Sequence, residues 1–204
     1  MSRMQPWIMV MAWCLNVLVL SLGLAIFEIL FEKENGWASA TNPRRAGREL
    51  FRGSIIAAVC EKPYLTAYHL FVFLLIIPLV LGSELLLLQE AVGMGHPALS
   101  NWFVHPGGYL VMQVGGVTFI PFLFLAAAWF CILVVEDLLW FLLNWHYPKS
   151  MEDLLAGKIW WHTRWLTLGS IKLPRFYLTI SLVAVFFLTA SLMPIWLISA
   201  MSPR

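Results

Sequence analysis

Charge is what this sequence has little of: Asp, Glu, Lys and Arg make up 12% of its 204 residues, against roughly 25% in a typical soluble domain. Such a chain cannot clothe a large water-facing surface, and its 61% hydrophobic content and mean hydropathy of +0.81 place it in a bilayer. A net charge of +2 is too small to argue for nucleic acid as a partner. Cysteine is also scarce. Cys14, Cys60 and Cys131 lie far apart, so neither a CxxC metal pattern nor a disulfide framework is written here. HExxH, ExxH and HxxxH ligand spacings are missing, as are a GxSxG elbow and a phosphate-binding glycine loop. No internal repeat, low-complexity tract or interdomain linker interrupts the chain.

What is there is long apolar runs. A hydrocarbon core of about 30 Å takes about 20 apolar residues in a helix, and four stretches qualify, at about 7–31, 65–88, 117–143 and 176–201. The first runs too far and offers too poor a small-residue cleavage site for a signal peptide. The expected fold is an all-α integral membrane protein of four transmembrane helices forming a single domain over 1–204, with short interfacial helices in its cytoplasmic loops. The loop between the first two spans carries Lys33, Arg44, Arg45, Arg48, Arg52 and Lys62. The one before the last span carries Lys149, Lys158, Arg164, Lys172 and Arg175, whereas 89–116 carries no Lys or Arg. The positive-inside rule then puts both basic loops in the cytoplasm and both termini on the non-cytoplasmic side.

In the first basic loop, Asn42 and Pro43 read as a helix start. A helix over about 43–58 would gather Arg44, Arg45, Arg48 and Arg52 on one side, suited to anionic lipid headgroups. In the second, Ser150 and Asp153 have the spacing of a capping box. The expected helix, about 151–166, lies in the interface plane with His162 on its apolar side, and Trp160, Trp161 and Trp165 suit that depth. The segment 89–116, rich in Gly and Pro, is compatible with a hairpin, a re-entrant segment or a plain loop; Trp102, Phe103, Tyr109 and Leu110 could dip into the outer interface.

Ionisable residues inside spans are costly and point to function. Glu28, Glu136 and Asp137 fall toward the cytoplasmic ends of their spans, while Glu84 reads as an outer interfacial charge. His69, His146 and His162 fall on the same cytoplasmic side. Glu136, Trp140 and Asn144 recur every four residues and share a stripe, which makes Glu136 the better candidate to face a common centre and turns Asp137 about 100° away. Carboxylates with imidazoles can serve two chemistries. Glu28, His69, Glu136, His146 and His162 could bind a transition metal such as Fe, Mn or Zn; alternatively Glu136, Asp137 and His162 could transfer protons to a lipophilic small molecule. Haem is disfavoured, since only His69 and His146 could oppose one another. The competing possibility is a non-catalytic subunit whose aromatic-rich helices pack against other membrane subunits. A transporter is disfavoured by the lack of a broken helix pair.

The run EDLLWF, Glu136 to Phe141, resembles the acidic pair followed by aromatics in the small membrane-bound carotenoid (lycopene) cyclases, where two carboxylates serve proton-initiated ring closure without redox change. The resemblance covers these six residues. Val134 stands where that family has a proline, and the remainder shows no correspondence.

Overall fold

Helix α1, Pro6–Glu32, begins with proline at its first position, where a missing N–H costs nothing. The computed structural model describes residues 6–33, 49–50, 52–53, 65–66, 71–82, 102–104, 110–114, 117–159 and 161–201. Helix α1 ends at Lys33, whose N–H bonds the Ile29 carbonyl at 3.0 Å and whose φ of 54° is left-handed. That conformation costs a side-chain-bearing residue about 1–2 kcal/mol, so something must hold it. Asn144 does, donating from Nδ2 to the Lys33 carbonyl at 2.7 Å.

Two strands of two residues each, β1 Glu49–Leu50 and β2 Leu65–Thr66, pair antiparallel. Helix α2 spans 71–82 and opens with a π-helical turn, Val72–Ile76. Strands β3 Trp102–Val104, β4 Leu110–Val114 and β5 Val117–Phe119 form an antiparallel meander. Helix α3 runs Pro121–Leu143 and α4 Ser150–Leu155. A hairpin of β6 Trp165–Leu168 and β7 Ile171–Pro174 leads into α5, Arg175–Met201.

The described structure is mostly helical, and two helices are long and apolar enough to cross a membrane, with qualifying segments Trp13–Leu30 and Phe122–Leu143. They run parallel. Trp13 meets Phe124 near one end with ring centroids 5.7 Å apart, and Lys33 meets Asn144 at the other. Helix α5 packs antiparallel to α3: the Ile120 N–H bonds the Ser191 carbonyl at 2.9 Å, and Tyr177 meets Asp137 at the opposite end. In lipid, close packing holds helices together in place of a hydrophobic drive, and the buried positions fit that demand. Ala25, Ala127, Ala128, Ser21 and Ser191 are fully buried. Large apolar side chains turn outward, among them Leu15, Phe122, Leu182 and Phe186.

Several expected boundaries move. Residues 49–50 are strand and 52–53 turn, not part of a helix over 43–58, with Gly53 in the left-handed region (φ 70°). Arg52 is exposed in that turn; Arg44, Arg45 and Arg48 lie outside the described residues. Leu65 and Thr66 are extended, and the described residues of the second apolar run are helical over 71–82. Residues 117–119 pair with β4, so α3 starts at Pro121 rather than 117. The loop 89–116 contributes the strands β3 and β4.

The largest correction concerns 151–166. Helix α4 stops at Leu155 because Gly157 takes φ 70° and closes a Schellman turn, with the Gly157 N–H on the Leu154 carbonyl and the Lys158 N–H on the Asp153 carbonyl, both at 2.9 Å. A side chain at 157 would also strike Lys172, whose Cδ lies 2.5 Å from an ideal Cβ position. Past this stop no helix resumes among the described residues of 151–166: the His162 N–H bonds the Ile159 carbonyl at 3.3 Å in a turn, and strand begins at Trp165. The capping box does not form either. Ser150 Oγ donates to the Phe141 carbonyl at 2.6 Å, closing the end of α3, and Asp153 accepts from the Tyr147 hydroxyl and pairs with Lys158 at 3.3 Å.

Candidate functional site

Asp137 lies two turns before the end of α3, and the antiparallel partner α5 begins beside it. That arrangement puts Tyr177, in the first turn of α5, against the carboxylate: its hydroxyl donates to Asp137 Oδ2 at 2.8 Å. His162 arrives from the connection between α4 and β6, and its Nε2 lies 3.3 Å from the same oxygen. Three chain segments therefore converge on one oxygen atom.

The environment makes this contact consequential. The His162 side chain is 4% exposed, against 20% for Asp137. Rings surround the imidazole, with centroids of Phe141, Trp161, Trp165, Phe176 and Tyr177 between 5.8 and 6.4 Å away. Although Nε2 is within ion-pair reach of Asp137, the alignment is too poor for a hydrogen bond, and the atom has no hydrogen-bond partner in the described structure.

Glu136 is buried, and so is Glu28 on α1, between Ala25 and Ile29, which share a packed cluster with Trp140 and Phe141. The stripe Glu136, Trp140, Asn144 meets α1 at its lower positions, where Asn144 binds Lys33. Asn144 is thus a tie between helices rather than a site residue; its Oδ1 also accepts the His146 N–H at 3.0 Å. The sequence favours Glu136 of the adjacent pair as the one to face a common centre; the structure places Asp137 3.3 Å from His162 and in reach of Tyr177, with Glu136 buried one residue before it.

His146 sits in the turn after α3, half-buried against Trp145. His69 lies outside the described residues. Among the described residues no three His, Cys, Asp or Glu side chains are grouped to hold a metal ion, so Glu28, Glu136, His146 and His162 do not form the expected ligand set. Tyr177 was missed in the sequence. Its signal was positional: the second residue of the last apolar run must fall level with the end of the preceding antiparallel one.

Below the site, the Tyr147 hydroxyl bonds Asp153 and braces α4. That bond, with Lys158 beside it, holds the Asp153 carboxyl below its ordinary range, while Tyr147 is pushed up to about 12 by the same bond, by burial and by the Asp153 charge.

Compared with protein-family models, curated proteins and solved structures, the chain shows no significant match in any of the three.

Proposed function

We propose that this chain is a four-span membrane protein with both termini on the non-cytoplasmic side, and that Asp137, Tyr177 and His162 form an acid–base site at its cytoplasmic boundary that transfers protons to a lipophilic substrate. The parallel run of α1 and α3 supports the topology. Two parallel crossings require an odd number of crossings between them, and α2 lies in the apolar stretch suited to that role. The antiparallel α5 then supplies the fourth, and the basic residues of 149–175 fall on the cytoplasmic side.

The observation that carries the chemistry is the buried His162 Nε2, 3.3 Å from a carboxylate oxygen that already accepts the Tyr177 hydroxyl. Tyr177 fixes the orientation of Asp137. Asp137 and His162 stand close enough to pass one proton between them, and the imidazole is buried. A lipid-soluble substrate reaching this depth from the membrane would accept that proton, and cytoplasmic water would restore it.

The test compares lipid and pigment extracts of cells carrying the wild-type chain, a deletion, Asp137→Asn and His162→Gln. The reading expects both variants to reproduce the change seen in the deletion while the protein remains folded in the membrane. Extracts of Asp137→Asn indistinguishable from wild type would overturn it. If stoichiometric partner proteins then co-purify, the accessory-subunit alternative gains.

A further inference from the structure

The hairpin ahead of α5 is anchored at its base and bare at its tip. Pro174 is buried and Leu173 half-buried, and the Arg175 N–H bonds the Arg164 carbonyl at 2.9 Å, tying the strands to the start of α5. Beyond that base, the register pairs Thr167 with Lys172 and Leu168 with Ile171 are exposed throughout. Leu168 is 65% and Ile171 45% exposed. As cross-strand partners they project from one face of the hairpin, and the left-handed Gly169 (φ 64°) makes the tight turn between them. Exposed Lys172 adjoins this apolar pair, and exposed Arg164 and Arg175 stand across from each other at the hairpin's base, four residues back.

We infer that the tip is a wedge for the inner leaflet, with Leu168 and Ile171 entering the boundary between headgroups and acyl chains and the three basic side chains engaging anionic headgroup phosphates. Size decides against a protein partner. A stable interface takes about 20–30 residues a side, whereas two apolar side chains with a basic border match the footprint of a membrane-inserting loop. Reach agrees: from Ile171 to Arg175 the strand covers about 13 Å at about 3.3 Å per residue, enough to lie back across a headgroup layer several ångströms deep. Charge agrees as well, since the anionic inner leaflet complements the border. The inference rests on the reading of α5 as a span starting at the inner face, and is independent of the acid–base site.

The experiment places the photocrosslinking residue p-benzoylphenylalanine at Leu168 in the full-length protein and reconstitutes it in nanodiscs of phosphatidylcholine, alone or with a minority of phosphatidylglycerol. After irradiation, mass spectrometry should find lipid adducts, several-fold more abundant in the anionic discs, and Arg164→Gln with Lys172→Gln should bring the yield down to that of the neutral ones. The same probe at Phe186, exposed midway along α5, should give adducts in both. Adducts at Phe186 but none at Leu168, crosslinks from Leu168 to another protein chain, or equal yields in the two compositions would each overturn the wedge. No adduct at Phe186 would overturn the spanning assignment of α5, and the wedge with it.

Discussion

Asn144 at the end of α3 donates to the Lys33 carbonyl at the end of α1, 2.7 Å away, and its own Oδ1 takes the His146 N–H. One buried side chain thereby closes two helix ends, one of them in a left-handed conformation.

Asn144→Ala should therefore destabilise the folded protein by about 1–2 kcal/mol, because it leaves a carbonyl and an N–H without their partner in a part-buried setting. Thermal unfolding of the purified protein in detergent would show a lowered midpoint. Asn144→Asp should be intermediate, since it keeps the acceptor for His146 and loses the donor to Lys33. A variant as stable as wild type would mean that the contact contributes nothing.

Gly157→Ala should cost about 1–2 kcal/mol for the left-handed backbone alone, and more if the Lys172 side chain cannot move aside. At Gly169, φ is 64° and an added Cβ meets nothing within 4 Å, so Gly169→Ala should show the backbone cost without the collision. The difference between the two melting shifts measures the packing of Lys172 against the end of α4.

Tyr177→Phe removes the hydroxyl donated to Asp137. A hydrogen bond to a charged group contributes about 1.5–3 kcal/mol, so stability should fall by an amount of that order, and Asp137→Asn should fall with it. Combined, the two substitutions should cost less than the sum of the separate ones, because each breaks the same bond. Strict additivity in unfolding measurements would show that the two side chains do not interact.

The Tyr147–Asp153 pair ties stability to pH at both ends. Asp153 is held low, so its contribution is complete above the ordinary carboxylate pKa of about 4 and is lost as pH falls through the depressed folded value. Tyr147 is raised to about 12, so its contribution is complete below the ordinary tyrosine value of about 10 and is lost as pH rises through about 12. The melting difference between wild type and Asp153→Asn should therefore persist at neutral pH and close in acid below about pH 4. A pH-independent difference would contradict the pairing.

Much of the helical plan was legible. Long apolar runs read as α1, α3 and α5 because a continuous helix satisfies its own backbone polar groups without partners. Two local signals were also present. Leu154-Leu155-Ala156-Gly157-Lys158 has glycine where a helix stops, and Leu168-Gly169-Ser170-Ile171 has the glycine-led two-residue turn of a hairpin. Helical periodicity across 151–166 hid the first, because an apolar face can be counted on a wheel without asking whether the backbone between its members can stay helical.

Composition and pattern alone determined that the chain is rich in apolar helices, that its carboxylates sit near helix ends, and that its basic residues gather in two loops. These follow from properties of single residues and their nearest neighbours along the chain. Only the tertiary structure decided that Asp137 meets His162, that Tyr177 completes the contact, and that Asn144 ties two helices. Adjacent carboxylates on a helix look equivalent until it is known which neighbour lies on which side, and that depends on packing between segments distant in sequence.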